Sequence, residues 1–312
     1  KDYKIGRLTL NKPKALNALD LEMAGIMLDA LRQWQARSDI VAVVIDAAGE
    51  KAFCAGGDIV SMYNSMVEAH GEIPAFLETF FETEYTLDYT IHNYNKPIIV
   101  WGSGIVMGGG MGLLCGASHR VVTETSRLAM PEISIGLYPD VGGSYFLPRL
   151  PGKSGLFLGL TGGQMNAADA MYVGLADVMV SSAEKENLLQ GLVDYAWNET
   201  SSSTLAEAVN TVLSRLQKPE TEVQSNIEPN MPLINELCSA NNVSEVVNAI
   251  LTADMQGDKW LSRAQSTLAK GSPITMHLVF EQCKKGATMS LADCFRMEAD
   301  MSCRCGESGE FQ

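Results

Sequence analysis

Two hydrophobic periods are written into the chain, and they trade places along its length. "YKIGRLTL" at 3–10 alternates apolar and polar residues with the period of two that a half-buried strand requires. "VAVVIDAAG" at 41–49 is an almost unbroken apolar run, the pattern of a strand covered on both faces. Between them, "LDLEMAGIMLDALRQWQA" at 19–36 spaces its apolar residues as a helix does, with Asp20 placed to cap the N-terminus. The alternation continues through a helical pattern in "AFLETFFETEYTLDYTI" (75–91), a strand in "KPIIVWGSG" (96–104), a glycine-rich turn, another helix and the strand "HRVVTE" (119–124). From 152 to 181 two short helices precede a last strand. Beyond 183 the strand signal fades: "SRLQKPETEVQSNIEPNMP" (214–232) reads as a linker, and helical patterns run from 233 to the end. The pattern predicts an α/β core over 1–182 followed by a helical region over 183–312, without a repeat of the 20–50-residue kind that marks solenoids.

Composition narrows the function classes. At 312 residues and 46% hydrophobic content the chain buries one large core with a smaller appendage. No apolar run reaches the roughly 18–20 residues of a membrane span, and the first residues show neither a signal-peptide core nor an Arg-rich transit pattern; they begin abruptly in strand-like sequence, which is compatible with a removed presequence. Seven irregularly spaced cysteines give no disulfide framework, so a reducing compartment is expected, and the lone Cys303–Cys305 pair lacks the second ligand pair of a metal site. The four histidines, His70, His92, His119 and His277, match no metal spacing and are expected to be structural. A net charge of −14 argues against nucleic acid and anionic membranes as partners; a phosphate-bearing ligand would need a local basic patch, for which Lys12, Lys14 and Lys51 are the candidates.

Chemistry concentrates in two kinds of segment. "LAMPEISIGLYPDVGGSYFLPRL" (128–150) carries Glu132 and Asp140 among Leu, Met, Ile, Val, Phe, Gly and Pro. An acid in such surroundings is expected to be buried, which raises its pKa toward the range useful to an acid, base or nucleophile. The structural alternative is that Glu132 caps a helix or pairs with Arg120, Arg127 or Arg149. The second kind is the glycine-rich turn: "KAFCAGGDI" (51–59) and "IIVWGSGIVMGGGMGLL" (98–114) each follow a strand. Bare backbone at two such turns can aim two N–H donors at one carbonyl oxygen, an oxyanion hole, although one turn alone is more simply a tight connection. Dinucleotide spacing fails, because G-x-G-x-x-G started at Gly102 or Gly108 ends on Met107 or Leu113, and Walker A, G-x-S-x-G and H-E-x-x-H are all missing.

In combination, "NKPKALNAL", "KAFCAGGDI", "MGGGMGL" and "MPEISIGLYPDVGGSYFLPRLPG" closely resemble the enoyl-CoA hydratase/isomerase (crotonase) superfamily, and "FFETEY" with "PDVGGSYFLPRL" resembles its 3-hydroxyisobutyryl-CoA hydrolase branch, over roughly 3–310. The resemblance implies an α/β crotonase-like spiral of repeated ββα units with a C-terminal helical region, and a further short C-terminal stretch after "MEADMSCRC". It implies hydrolysis of a short β-hydroxyacyl-CoA thioester, 3-hydroxyisobutyryl-CoA of valine breakdown first among them. The position-by-position roles are Gly57 and Gly109 N–H on the thioester oxygen, Glu132 and Asp140 in catalysis, and Glu84, Gly109, Glu132 and Asp140 around the acyl group. Lys14, Ala15 and Asp58 fall at CoA-binding positions. Where hydratases carry a second glutamate this chain has Gly112, which argues against hydration. No metal or other cofactor is called for, CoA being the leaving group. The alternatives are an enoyl- or dienoyl-CoA isomerase and a non-catalytic acyl-CoA binding subunit. The resemblance also suggests a homo-oligomer, located in the cytoplasm if the source is bacterial and in the mitochondrial matrix if it is eukaryotic.

Overall fold

The computed structural model describes residues 3–69, 72–199 and 204–308. His70 lies outside them. The strands are β1 (Lys4–Leu10), β2 (Ile40–Ala47), β3 (Ala52–Cys54), β4 (Ile98–Gly102), β5 (Ile105–Met107), β6 (His119–Thr123), β7 (Arg127–Ala129) and β8 (Val178–Val180). In the first half the helices are α1 (Leu21–Gln35), α2 (Ile59–Ala69), α3 (Ala75–His92), α4 (Gly109–Gly116), α5 (Gly143–Phe146), α6 (Ser154–Thr161) and α7 (Ala167–Tyr172). In the second they are α8 (Lys185–Val193), α9 (Leu205–Leu213), α10 (Ile227–Leu237), α11 (Val243–Thr252), α12 (Lys259–Leu268), α13 (Pro273–Gly286) and α14 (Leu291–Ser308).

Strands alternate between two sheets. β2, β4 and β6 enter a five-stranded sheet of order β1-β2-β4-β6-β8, while β3, β5 and β7, each following its partner after a short connection, form a three-stranded sheet of order β3-β5-β7. Within both sheets the strands pair in parallel, with registers such as Val44 opposite Ile99 and Val100 opposite Arg120. Two strands and the helices after them make one turn of a spiral, the ββα repeat. Parallel sheets need cover on both faces, and the side chains divide accordingly. Val43, Ile45, Ile98, Val100 and Val122 point into the main core. Val44, Ile99, Trp101 and Val121 point the other way, onto Leu188, Leu192, Val209 and Val212 of α8 and α9. The unbroken apolar run at 41–49 is the consequence.

Among the described residues every element after Val180 is helical. α10, α12 and α13 pack around α6, and α14 lies along α3. Asp20 caps α1 as expected, accepting from Met23 N at 2.7 Å. The expected linker is too long: α10 starts at Ile227 and runs through Pro232. Pro229 in its first turn needs no N–H, and Asp169 accepts from the amides of Asn226 (2.6 Å) and Ile227 (2.8 Å), so the start of the helix is secured from outside it.

Candidate active site

α3 buries Phe81, Glu84, Tyr85, Asp88 and Ile91 on one face, so three ionisable or polar residues occupy positions that packing normally reserves for apolar ones. α4 makes room for them. A Cβ at Gly109 would sit 2.6 Å from Glu84 Oε1, one at Gly112 2.6 Å from Asp88 Oδ2, and one at Gly116 3.0 Å from His92 Cδ2. The i, i+4, i+8 stripe of α3 thus fits a stripe of glycines on α4. Gly112, the departure from the hydratase pattern, is glycine because the Asp88 carboxyl fills the space beside it; Val141 Cβ, 2.7 Å away, closes the other side.

The turn after β3 and the turn after β5 meet over this stripe. The Gly57 amide nitrogen is 3.5 Å from where a Gly109 Cβ would lie, and among the described residues neither the Gly57 nor the Gly109 N–H is taken by another acceptor. Gly108, with φ +48° and Glu132 Oε1 only 3.0 Å from its would-be Cβ, has to be glycine for the turn to form. A cavity of about 230 Å³ results, and Gly57, Glu84, Gly109, Glu132 and Asp140 all line it. Larger cavities, about 410 Å³ near Lys153 and Cys283, 420 Å³ near Ser103 and Lys185, 310 Å³ near Tyr89 and Phe295 and 260 Å³ near Arg7 and Met23, contain none of these residues.

Glu132 heads the single turn Glu132–Ile135 at 5% exposure, and its Oε2 has no hydrogen-bond partner. The residue at the cap position is Pro131, so Glu132 stands inside the turn and does not cap it. Of the three candidate arginines, Arg120 holds Asp177, Arg149 holds the carbonyls of Tyr145, Gly286 and Met289, and Arg127 is exposed at the start of β7. Burial, reinforced by Asp140, pushes the Glu132 carboxyl well above its usual range. Asp140 is raised to about 6, burial outweighing the hydrogen bond it accepts from Tyr85 Oη at 2.6 Å. Its neighbour Val141 has φ +49°, a strained conformation for a β-branched residue. Glu298 of α14 holds that bend in place by accepting from the amides of Gly142 and Ser144, both at 2.8 Å.

Glu84, at 2% exposure, is raised by burial and then by Asp140, with Oε1 unpartnered. Asp88, fully buried with both oxygens unpartnered, is raised by burial and then by Glu84. Sequence reading missed Tyr85, Asp88 and Glu298, whose local sequences look like ordinary helix faces. The CoA-binding candidates lie outside the cavity. Lys14 and Ala15 sit exposed in the turn Pro13–Ala15, while Asp58, next to Gly57, accepts from Ser61 N and Oγ at the start of α2. Lys12 is paired with Asp20, and Lys51 is exposed. Among the described residues no group of three or more His, Cys, Asp and Glu is placed to hold a metal, and no helix is long and apolar enough to cross a membrane.

Comparison with known proteins converges on one family. The family model described as Enoyl-CoA hydratase/isomerase matches residues 5–312. The mitochondrial 3-hydroxyisobutyryl-CoA hydrolase of Danio rerio is 41% identical over 308 residues, 99% of this chain and 78% of that protein. The protein of the same name from Homo sapiens is 34% identical over 306 residues, 98% of this chain and 77% of its own. Among solved structures, a carnitinyl-CoA dehydratase from Mycobacterium thermoresistibile superposes with a TM-score of 0.85 at 34% identity, covering 98% of this chain and 84% of that one. An enoyl-CoA hydratase from Rhodobacter sphaeroides gives 0.84 at 33%, with the same coverage.

Proposed function

The chain belongs to the enoyl-CoA hydratase/isomerase family, and from that membership we propose that it is an acyl-CoA thioester hydrolase acting on 3-hydroxyisobutyryl-CoA. One observation carries the reading: two free backbone amides and a buried carboxyl with an unpartnered oxygen, that of Glu132, line the same small cavity, while the space at Gly112 is closed to a second side chain. Hydration of an enoyl group needs two carboxylates on one water and the α-carbon; hydrolysis needs a polarised carbonyl, one nucleophile or base, and a proton for the leaving thiolate.

The thioester oxygen is held by the N–H groups of Gly57 and Gly109, which stabilise the charge that develops there without reorganising. Glu132 acts next to the carbonyl carbon, either attacking it to give a mixed anhydride that water then opens or taking a proton from the attacking water. A carboxyl lifted by burial is more basic than a free one and suits either role. Label in Glu132 after a single turnover in ¹⁸O-water establishes the anhydride route with water opening it at the Glu132 carbonyl, since general-base attack by water never labels the enzyme. Asp140 orients the substrate hydroxyl and shares proton transfer with Glu132, and Glu84 accepts from that hydroxyl. Lys14, Ala15 and Asp58 are assigned to the CoA moiety outside the cavity. The relatives from Danio rerio and Homo sapiens are named mitochondrial, and for a eukaryotic source we place this chain in the matrix, for a bacterial one in the cytoplasm. Homo-oligomeric assembly belongs to the same reading by analogy of fold.

Thiol release from 3-hydroxyisobutyryl-CoA, followed with a thiol reagent, is the test. Stoichiometric release supports hydrolysis. Loss or migration of a double bond without thiol identifies a hydratase or isomerase, and binding without turnover identifies a silent subunit; either result defeats the proposal.

A further inference from the structure

Asp140 stands at the end of a line of hydroxyl groups. Its Oδ2 is 2.6 Å from Tyr85 Oη, which is 2.7 Å from Ser302 Oγ. Ser302 Oγ is 2.8 Å from Tyr138 Oη, and Tyr138 Oη donates to the backbone carbonyl of Glu298 at 2.8 Å. The four side chains are 5%, 4%, 0% and 0% exposed in the order Asp140, Tyr85, Ser302, Tyr138. α3, α14 and the segment after β7 therefore converge on one carboxylate.

The protons in this line can be counted. A hydroxyl donates once, and a peptide carbonyl only accepts. The Tyr138 proton is committed to the Glu298 carbonyl, so Ser302 has to donate to Tyr138 and Tyr85 to Ser302, and the link between Tyr85 and Asp140 then takes its proton from Asp140. All four hydrogen bonds form only when Asp140 is protonated. When it is ionised, Tyr85 turns its proton to the carboxylate in a stronger, charge-assisted bond, and one of the two links at Ser302 goes unmade. The heavy atoms stay where they are in both arrangements.

We propose that Tyr85, Ser302 and Tyr138 are positioning residues for the reaction: a hydroxyl line, anchored at Tyr138, that holds Asp140 in one place in both of its protonation states and whose Tyr85 end reverses direction as Asp140 takes up or gives up a proton. Helix α14 is then part of the catalytic device. The proposal rests on the hydrolase reading for the destination of the proton. In hydrolysis a C–O bond forms from water, the C–S bond breaks with its electron pair going to sulfur, and a proton from the water ends on the thiolate. Asp140 is recharged within each turnover, and no proton leaves through the line because it ends on a carbonyl.

Other ionisable groups face Asp140 as well: Glu84 and Asp88 from α3, Glu132 from its turn, Glu298 from α14, and His92 beside Gly142. All are retained when a hydroxyl is removed, so a change in the titration of Asp140 reports the line itself. The experiment is a pH titration of Asp140 by ¹³C NMR of protein labelled at the aspartate carboxyl carbons, the resonance assigned with Asp140→Asn. Tyr85→Phe loses the donor to the carboxylate, and the midpoint is expected to move to higher pH. Ser302→Ala removes the competing acceptor, so the ionised state has every remaining link made, and the midpoint is expected to move to lower pH. Ser302→Thr keeps a hydroxyl and is expected to titrate with the wild type. Thiol release should show kcat of Tyr85→Phe lowered about tenfold or more with KM little changed, the size of a misplaced proton-transfer group. Shifts in the same direction for both deletions, or no shifts, overturn the proposal. If Tyr85→Phe does not fold, the Ser302→Ala and Ser302→Thr pair decides it, a shift in the alanine variant alone being required. Thiol release without the opposed shifts removes the hydroxyl line and keeps the hydrolase reading. Opposed shifts without thiol release do the reverse.

Discussion

Two regions of the molecule bury carboxylates, and they treat them in opposite ways. Between α7 and α10, Asp169 is fully buried and accepts from Asn166 N, Ser225 Oγ, Asn226 N and Nδ2 and Ile227 N, at 2.6 to 3.0 Å. At the end of β2, Asp46 is equally buried and held by Arg7, Thr9 and Lys185. Around the cavity, Glu84, Asp88 and Glu132 are buried with oxygens that meet no donor. The first arrangement repays desolvation with hydrogen bonds and cations; the second leaves it outstanding, which raises the carboxyl pKa and costs stability. Buried acids alone therefore do not mark a site here. Buried acids left short of partners do.

The contrast is broken most sharply by kinetics. Glu132→Gln, an isosteric amide that neither attacks nor takes a proton, should lower kcat by roughly 10² to 10⁴. Asp169→Ala should leave kcat per folded molecule unchanged, as active-site titration will show. The stability effects should be the converse. Asp169→Ala orphans the amides of Asn226 and Ile227 at the start of α10 and should cost roughly 2–4 kcal/mol in denaturant unfolding.

Gly112→Ala comes next, because its Cβ meets Asp88 Oδ2 at 2.6 Å and Val141 Cβ at 2.7 Å; about 1–3 kcal/mol of overpacking is expected, relieved by combining it with Asp88→Gly. Neither the wild type nor Gly112→Glu should hydrate crotonyl-CoA, since the space a second glutamate needs is occupied. Rapid loss of the enoyl absorbance would refute this.

The pH dependence follows from sign. Glu84, Asp88 and Glu132 are raised in the folded state, so the native protein binds more protons than the unfolded chain above the ordinary carboxylate pKa. Their stability contribution is complete below that pKa and is lost as pH rises through the raised values. Unfolding at pH 5 and pH 8 should show the protein weaker at pH 8, and Asp88→Asn should reduce the difference. Asp140 near pH 6 places the acidic limb of kcat/KM in that region, and Asp140→Asn should move the limb to lower pH by removing the charge that opposes ionisation of Glu132. At the small end, Lys12→Ala removes an exposed pair with Asp20 and should change stability by about 0–1 kcal/mol.

The large sheet was legible because β2 and β4 are buried on both faces and read as apolar runs, while β6 shows only the Val121–Val122 pair between polar residues. The strands of the small sheet were not read individually, since β3, β5 and β7 are three residues each, and β3 and β5 merge with glycine turns. Glu132 and Asp140 stood out because their own neighbours are apolar. Glu84 did not: "FFETEY" reads as a solvated helix face, and what it packs against is Gly109 of α4, a contact that no local pattern announces. Resemblance supplied it where local pattern did not. Asp88 and Glu298 had neither signal, because what matters for each is the atom opposite, Gly112 for one and the amides of Gly142 and Ser144 for the other.

The measurement that tests the central claim most directly is made on Glu132→Gln at pH 8, reading thiol release from 3-hydroxyisobutyryl-CoA and the thermal midpoint on one preparation. If the acid is kept short of partners for catalysis, turnover disappears while Tm rises above that of the wild type, because a neutral amide removes the desolvation penalty. A variant that keeps more than about a tenth of kcat and melts lower would show Glu132 to be a structural acid of the Asp169 kind, and would contradict the account.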